Sequence, residues 1–374
     1  MNLGQKKKRN TRRLLSWVWI YFLYYSGLLR WAQRRIASSS GIVVLTFHRV
    51  LPEREFANTN SPPGMVVTAS TFKDCLAYIQ GQHEIICLSG KQPAWERKSR
   101  IVRMGITFDD GWKDTSDVAH LISSELRVPI TVFVCPELMG KSSPFWPEQV
   151  VRAWRNAGAT EAQSMKFSEI CLRSLSGFAV TPIRDENRRV EELIARLKEF
   201  PSSGRAAFID ELSFASGRNL AKSTDCPLEA TMTWEDCRAL AQANAQIGSH
   251  TQSHEILTGL PPRDAQSELV ESRNEIEKRL GVPCLLFAYP NGAWSFEIRN
   301  QVSQAKYTLA FINSPGVWER TTDPHLVPRI NIWEGLITGR RGTFSPAVFQ
   351  YSVFWRSFRA PKHRCENPET LSRK

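Results

Sequence analysis

Two short stretches of the chain carry residue types that act together in metal-dependent hydrolysis. The first, residues 105–111, ends an apolar run in two adjacent carboxylates, Asp109 and Asp110, followed by Gly111. The second, residues 247–254, carries His250 and His254 four residues apart. Two imidazoles and one carboxylate supply three protein ligands for a divalent metal and leave one position open. The other carboxylate is then free to act as a base toward water at the metal.

Each stretch taken alone has an ordinary structural interpretation. An Asp-Asp-Gly sequence after a β-type run is typical of a turn, because Asp and Gly tolerate turn dihedrals. Two histidines in a loop can likewise be making ordinary hydrogen bonds. Together the two stretches supply the donors for one metal, and this pairing favours the chemical interpretation.

The same stretches resemble a known family. Residues 107–111 (Thr-Phe-Asp-Asp-Gly) and 250–254 (His-Thr-x-x-His) resemble the first two motifs of the polysaccharide deacetylase (NodB-homology, carbohydrate esterase 4) family. Residues 287–292 (Phe-Ala-Tyr-Pro-Asn-Gly) resemble the form that the third motif takes in one large branch of the family. Residues 45–50 resemble an earlier stretch found in the same branch. The resemblance runs from about residue 41 to about residue 333 and is interrupted by an insertion.

The resemblance implies a role for each residue of the two central motifs. Asp110, His250 and His254 would bind the metal, and Asp109 would be the general base. A metal held by one carboxylate and two neutral imidazoles keeps positive charge and polarises an acetyl carbonyl. Zn²⁺ is the favoured ion, although this ligand set alone also suits other divalent ions.

The third motif departs from the commonest form of the family. Ala288 stands where an arginine that pairs with the base carboxylate is usual, and Asn291 replaces a tyrosine. We expect Arg329, on a late strand, to restore the lost pairing, against the alternative of a surface arginine. Tyr289, Pro290 and Asn291 are expected at the substrate, where the backbone N–H of Asn291 would stabilise an oxyanion.

The general acid is left open by the sequence. The family's last motif, Leu-x-His, has no clear match, and His325 is too early in its strand. His48, at the end of the first predicted strand, is the better candidate for an acid or substrate contact. A histidine satisfied within the core is an equal alternative.

The elements that position these residues predict an α/β fold. Apolar strands alternate with helices, which implies a parallel sheet covered on both sides. Seven or eight strands are expected, which fits the distorted (β/α) barrel implied by the resemblance, with the candidate residues at the strand ends where such barrels carry catalysis. Residues 140–230 break the alternation and predict a helical insertion. We therefore expect an N-terminal segment (1–40), a deacetylase-like domain (41–335) and a basic C-terminal tail (336–374).

The net charge of +12 lies on the two ends of the chain. Residues 1–40 contain nine Lys or Arg and no Asp or Glu, residues 340–374 carry +6, and the body between them carries −3. Nucleic-acid binding needs a basic patch on the folded face, so this distribution argues against it. Residues 14–29 form an apolar run rich in Trp and Tyr, shorter than the ~20 residues of a membrane span.

This composition leaves three interpretations of the N-terminal segment: a helix lying on anionic lipid, a short signal anchor, or a helix packed on the domain. Aromatic and basic residues together favour the first, a membrane surface as partner. We expect a location at the periphery of a bacterial inner membrane. The eight cysteines are scattered without a close pair, which argues against a disulfide framework. Free cysteines suit a reducing compartment, so we expect the cytoplasmic side of the membrane.

The reaction predicted from these observations is removal of acetyl groups from an N-acetylated sugar or polysaccharide. Acetate and a free amine would be the products. One alternative keeps the site but acts on an O-acetyl ester or a small amide. Another is a non-catalytic sugar-binding or scaffold relative, which the open question of the acid favours and the complete donor set opposes.

Overall fold

The computed structural model describes residues 15–95, 99–142, 145–157, 161–175, 186–217, 219–221 and 226–360. The strands are β1 (Ile42–Phe47), β2 (Arg49–Leu51), β3 (Val66–Thr68), β4 (Glu84–Ile85), β5 (Arg103–Phe108), β6 (Thr131–Val134), β7 (Gln246–Ser249), β8 (Leu286–Ala288), β9 (Leu309–Ile312) and β10 (Val327–Asn331). The α-helices are residues 15–25, Leu28–Ser38, Glu53–Asn58, Ala69–Gln82, His120–Glu125, Trp146–Ala157, Glu161–Ser174, Glu186–Leu197, Ser202–Ser216, Trp234–Gln242, Pro262–Leu280, Phe296–Gln304, Glu334–Ile337, Pro346–Gln350 and Arg356–Arg359, with π-helical turns at Thr115–Ala119 and Tyr351–Trp355.

Seven parallel strands close into a barrel. The order is β1, β10, β9, β8, β7, β6, β5, and β5 pairs with β1 again to complete the circle. Strand β4 adds an eighth strand beside β5, and β2 pairs with β3 outside the barrel. The closed order of seven strands, with β4 as an eighth, confirms the expected distorted (β/α) barrel of seven or eight strands. The apolar strands are covered on one face by the barrel interior and on the other by the helices.

Alternate residues of each strand point into the barrel or toward the helices. Ile42 and Val44 of β1 belong to the interior cluster, while Val43 and Leu45 belong to the cluster beneath the helices. Gly248 leaves room inside, since a Cβ there would lie 2.6 Å from the Phe133 ring. The interior is therefore packed rather than open, and small residues set how far large ones reach in.

The barrel interior becomes polar at its C-terminal end. On β1 the inward positions run from Ile42 and Val44 to Thr46, and on β10 from Val327 to Arg329. The first predicted strand stops at Phe47, so that His48 lies between β1 and the separate strand β2. This arrangement places polar side chains at the mouth where the strands end.

The helical insertion forms a core of its own. Its four described helices, Trp146–Ala157, Glu161–Ser174, Glu186–Leu197 and Ser202–Ser216, bury a cluster separate from the barrel core. The side chains of residues 161–164 and 186–188 and all of residues 176–185 lie outside the described part. The insertion lies between β6 and β7 in the chain.

The two ends of the chain pack against each other. Ile20, on the helix of residues 15–25, clusters with Ala347 and Val348, and the Trp31 and Phe358 rings lie 5.2 Å apart. Phe349 and Phe354 are buried in the main core. The basic clusters at residues 6–13 and 362–374 lie outside the described residues. Among the described helices, none combines the length and hydrophobicity needed to cross a bilayer.

Candidate active site

The carboxylate pair lies on a sharp turn at the end of β5. The Asp109 N–H continues the strand ladder by donating to the Phe47 carbonyl at 3.1 Å. Asp110 and Gly111 then both adopt left-handed conformations, with φ of 73° and 72°. A non-glycine residue in this region costs on the order of 1–3 kcal/mol and persists where its surroundings fix it. The turn holds both carboxylates, each 2% exposed, at the barrel mouth.

Asp109 is held by a two-point ion pair with Arg329. Arg329 donates from Nη1 to Oδ1 and from Nη2 to Oδ2, both at 2.7 Å, and its Nη1 also donates to Thr107 Oγ1 at 3.1 Å. Burial raises the pKa of Asp109, but the charges of Arg329, His250 and His48 and the hydrogen bonds from Arg329 together outweigh this, and the net effect is a pKa below the ordinary value. Asp109 is therefore fixed as a carboxylate in one orientation.

Asp110, His250 and His254 converge on one point. Asp110 Oδ1 lies 3.5 Å from His250 Nε2 and 3.2 Å from His254 Nε2. The three candidate ligand atoms lie within 4.8 Å of one another. One carboxylate and two imidazoles at this separation form a donor set of the kind that divalent ions use.

The loop between the two histidines is fixed from outside the barrel. Glu268, on the helix Pro262–Leu280, accepts the backbone N–H of Gln252 at 2.8 Å and of Ser253 at 2.9 Å. Thr251 and His254 both have a φ of 66°. This curled loop turns His254 back toward the barrel mouth, so that both imidazoles face the same carboxylate.

The unpaired atoms of the cluster fit a metal. His250 Nδ1 donates to the Ala288 carbonyl at 2.7 Å, which leaves its Nε2 with the free lone pair in the neutral ring. Asp110 Oδ2 accepts from Trp112 Nε1 at 3.1 Å. Asp110 Oδ1, facing both histidines, is buried and has no hydrogen-bond partner among the described residues. A buried carboxylate oxygen without a partner is costly unless a ligand satisfies it.

His48 joins this cluster. Its Nε2 lies 3.9 Å from Asp109 Oδ2, and its Nδ1 has no partner within the described chain. Burial lowers the pKa of His48, although Asp110 and Asp109 act in the opposite direction. His325 lies elsewhere, with Nε2 donating to the Tyr307 carbonyl at 2.9 Å. The structure therefore brings together His48, Asp109, Asp110, His250, His254 and Arg329.

The third motif divides between the site and the core. Tyr289 faces the helices, where it packs on Phe287 and donates its hydroxyl to the His325 carbonyl at 3.0 Å. The structure does not bring this side chain into the cluster, since it follows inward-facing Ala288 by one residue. Pro290 is buried at the start of the next turn, and Asn291 adopts a φ of 58° there.

Lys198, a residue that the sequence analysis missed, reaches the site from the insertion. Its Nζ donates to Asn291 Oδ1 at 2.6 Å. Burial lowers the pKa of Lys198, and the Asp110 carboxylate acts in the opposite direction. Lys198 lies just past a charged helix, where a lysine is ordinary, so no sequence signal distinguishes it.

A second group that the sequence analysis missed, formed by Arg49, Asp114 and Trp112, supports Asp110 through the Trp112 ring. Arg49 donates from Nε to Asp114 Oδ1 at 2.9 Å, and its guanidinium carbon lies 4.1 Å from the centre of the Trp112 ring. Trp112 in turn donates to Asp110. The available sequence signals are that Arg49 lies within residues 45–50 and that Asp114 follows residues 107–111 closely. Neither signal specifies the contact.

A comparison with protein families matches part of the chain. Residues 209–310 match the family model described as polysaccharide deacetylase. This segment includes His250, His254 and Asn291, whereas Asp109 and Asp110 lie before it. The Bacillus subtilis (strain 168) protein YxkH, which is named as a polysaccharide deacetylase, is 25% identical over 113 residues. That alignment covers 30% of this chain and 40% of YxkH.

Solved structures of similar shape cover more of the chain. The polysaccharide deacetylase BC0361 from Bacillus cereus has a TM-score of 0.50 at 12% identity, with 84% of this chain and 69% of that one covered. The Streptococcus pyogenes deacetylase PplD, in complex with acetate, has a TM-score of 0.48 at 15% identity, covering 79% and 94%. The similarity to BC0361 agrees with the barrel fold.

Proposed function

We propose that the protein hydrolyses the acetamido groups of an N-acetylated sugar or polysaccharide, since residues 209–310 match the family model described as polysaccharide deacetylase. The products are acetate and a free amine. The observation that carries this proposal is the convergence of Asp110, His250 and His254 around an unpartnered carboxylate oxygen, beside the separate carboxylate Asp109. Metal-assisted amide hydrolysis requires a set of metal ligands beside a base that does not itself bind the metal.

In the proposed mechanism the two carboxylates have separate tasks. Asp110, His250 and His254 would hold a divalent ion, and we propose that this ion is Zn²⁺. When bound, such an ion polarises an acetyl carbonyl and lowers the pKa of water. Asp109 takes a proton from the attacking water as the new C–O bond forms. Arg329 holds this carboxylate in position with two hydrogen bonds of 2.7 Å.

Breaking the amide C–N bond requires a proton on the leaving nitrogen. We assign this transfer to His48, whose Nε2 lies 3.9 Å from Asp109 Oδ2 and which passes to the leaving nitrogen the proton that Asp109 takes from water. Asn291 follows β8 at the barrel mouth, and its backbone N–H is proposed to donate to the developing oxyanion. The Lys198 side chain holds the Asn291 side chain at 2.6 Å and so supports this turn from the insertion.

The test is acetate release by the purified, metal-loaded protein. N-acetylated oligosaccharides, an O-acetylated sugar and a small acetamide are offered in parallel, with the metal-stripped protein as the control. Release from the N-acetylated sugars alone supports the proposal, and preference for the ester or the small amide identifies the alternative substrate class. No release from any substrate, together with sugar binding, would favour the non-catalytic alternative.

We also propose that the N-terminal segment holds the protein to a membrane surface. Eight of the fifteen exposed large apolar residues in the described chain are Leu15, Val18, Trp19, Phe22, Tyr25, Leu28, Trp31 and Phe358. Their spacing places the first four on one face of the helix of residues 15–25. Aromatic and aliphatic residues with flanking arginines suit an anionic lipid surface. The location that we propose is the periphery of a bacterial inner membrane, on its cytoplasmic side.

Flotation with vesicles tests this anchoring. Deleting the segment would remove Leu29 and Ala32, which are fully buried, and would expose the surface that they pack on, so point substitution is preferred. Trp19→Ser with Phe22→Ser should release the protein from anionic phospholipid vesicles, and the matched control is Phe296→Ser, an aromatic of similar exposure on the barrel. Equal flotation of both proteins would contradict the proposal.

A further inference from the structure

A cavity of about 760 Å³ lies where the two ends of the chain meet. The helix of residues 15–25 lines one side of it through Tyr21, Tyr24 and Tyr25, and residues 339–347 line the other side. The described residues that line it include none of those at the candidate active site. This cavity, which we call the terminal cavity, is therefore separate from the place where the acetyl group would be attacked.

Two arginines of the terminal cavity lie at the tip of a tight turn. The Gly342 N–H donates to the Gly339 carbonyl at 3.0 Å, and the Gly339 N–H donates to the Thr343 carbonyl at 2.7 Å. Gly342 has a φ of 74°, a conformation that glycine adopts without strain. Arg340 and Arg341 are the two central residues of this turn, and both line the cavity. The turn therefore fixes the backbone from which both guanidinium groups extend.

The positive charge at the terminal cavity is uncompensated within the described chain. No acidic residue is among the described residues that line it, and residues 1–40 and 335–360 contain no Asp or Glu. Neither the Arg340 nor the Arg341 side chain has an ion-pair or hydrogen-bond partner among the residues that the structure describes. Arginine forms its strongest hydrogen bonds with carboxylate and phosphate oxygens. The cavity therefore favours an anionic ligand.

Aromatic side chains join the terminal cavity to the exposed apolar residues of the N-terminal segment. Phe344 lines the cavity and packs on Phe349, whose ring centre lies 5.8 Å away. Tyr25 also lines it and is 81% exposed. Tyrosine suits a place where an apolar surface meets water, because its ring is apolar and its hydroxyl is polar. The cavity is thus continuous with the surface that we propose to lie on lipid.

We propose that the terminal cavity binds the phosphate headgroup of an anionic phospholipid. The phosphate oxygens accept hydrogen bonds from Arg340 and Arg341, while the glycerol and the first acyl carbons lie against Phe344 and the tyrosines. A free phosphate would use the arginines but leave the aromatic walls without a contact. Ligand sites range from ~300 to ~1,000 Å³, so a cavity of about 760 Å³ accommodates such a headgroup. The inference rests on the proposed anchoring to a membrane surface and adds a specific lipid contact to it.

The first test measures lipid binding without a membrane. Dihexanoyl phosphatidylglycerol, kept below its micellar concentration, is titrated by calorimetry into the full-length protein. Arg340→Gln together with Arg341→Gln should raise Kd about tenfold, because charge-assisted hydrogen bonds are lost. The matched control is Arg34→Gln together with Arg35→Gln, an adjacent exposed pair that does not line the cavity. Equal Kd values in the two double variants, or no binding to the intact protein, would overturn the proposal.

Two further ligands identify the source of the phosphate. Inorganic phosphate and dihexanoyl phosphatidylcholine are titrated into the intact protein in the same way. Weaker binding of both than of dihexanoyl phosphatidylglycerol supports an anionic lipid headgroup as the ligand. Inorganic phosphate that binds as tightly as the anionic lipid would overturn the lipid as ligand, and phosphatidylcholine that binds as tightly would overturn the need for net negative charge.

Flotation separates the terminal cavity from the anchoring on which it rests. With phosphatidylglycerol vesicles, Trp19→Ser with Phe22→Ser should lose flotation but keep the Kd for the soluble lipid, since neither residue lines the cavity. Unchanged flotation of this variant, with soluble-lipid binding that still depends on Arg340 and Arg341, would contradict the anchoring alone. Lost flotation of this variant, with soluble-lipid binding that does not depend on the two arginines, would overturn the cavity alone.

Discussion

Each of three buried carboxylates at the barrel mouth faces a cation or an imidazole, whereas the buried carboxylate of the insertion has neither of its oxygens hydrogen-bonded. Asp109 faces Arg329, Asp114 faces Arg49, and Asp110 faces the two histidines. Glu148, on the helix Trp146–Ala157, is 2% exposed, and within the described residues both of its oxygens lack a partner.

The two regions therefore keep charge in different ways. At the mouth, ion pairing keeps Asp109 ionised despite burial. In the insertion, burial raises the pKa of Glu148 to about 8, only partly opposed by the Arg49 charge, so that the neutral acid prevails at pH 7. Neighbouring cations and imidazoles thus hold the pKa values of Asp109 and Asp110 below the ordinary value, whereas burial without a hydrogen-bond partner raises the pKa of Glu148.

The largest effect expected in the barrel mouth is loss of metal. His250→Ala or His254→Ala leaves two protein ligands, which bind a divalent ion far more weakly than three. Metal content by mass spectrometry should fall from about one ion per chain to a small fraction. His325→Ala, outside the cluster, is the control. Full metal occupancy in a variant that carries both His250→Ala and His254→Ala would show that these histidines are not ligands.

Replacing Asp109 separates the base from the metal site. Asp109→Asn preserves the shape of the side chain but removes its basicity, so activity should fall by ~10²–10⁴-fold. Metal content should stay near that of the intact protein, because Asp109 is not in the proposed ligand set. Acetate release and metal content are measured on the same preparation. Turnover at the original rate would place the base elsewhere.

Removing Arg329 tests whether the mouth depends on paired charge. Arg329→Met leaves Asp109 buried without its cation, and losing one partner of a buried pair costs about 3–5 kcal/mol in the free energy of unfolding. Denaturant unfolding measures this loss. Adding Asp109→Asn should restore part of it, since the uncompensated charge is then gone. An equal loss in single and double variants would mean that packing, rather than charge, is responsible.

The smallest effect is expected from Glu148. Its folded pKa of about 8 lies above its ordinary value of 4.5, so the folded state binds more protons between those pH values. The stability contributed by the neutral acid is full below pH 4.5 and is lost as pH rises through about 8, by about 1.4 kcal/mol per pH unit at most. Glu148→Gln should remove this dependence in unfolding measured from pH 5 to 8. Parallel profiles for both proteins would show that Glu148 is ionised when folded.

Most of the site residues that the barrel strands position could be predicted from the sequence. The sequence indicates the bounds of the helix Pro262–Leu280, because Pro262 suits the first turn and Gly281, which adopts a φ of 70°, suits the end. The cluster was predictable because its residues follow apolar strands that end at one edge. Arg329 was predictable for the same reason, as a strand residue facing the same mouth.

The contributions of the insertion were not predictable from the sequence. The insertion itself was expected to be helical, but Lys198 and Asn291 are 93 residues apart and no periodicity links them. Trp146 and Glu148 are two residues apart on one helix, and only the packing against the barrel leaves one half-buried and places the other in the interior. Contacts between separately folded cores carry no local pattern.

The pair between Asp109 and Arg329 also bears on the order of folding. The two residues are 220 positions apart, and β1 lies between their strands in the barrel. Asp109 therefore obtains its partner only when β10, the last strand of the barrel, docks beside β1. Contacts between such distant residues form late, since closing the intervening chain is slow. During synthesis, a nascent chain that ends before Val327 carries both carboxylates without this cation, and competence for the chemistry appears only with the final strand.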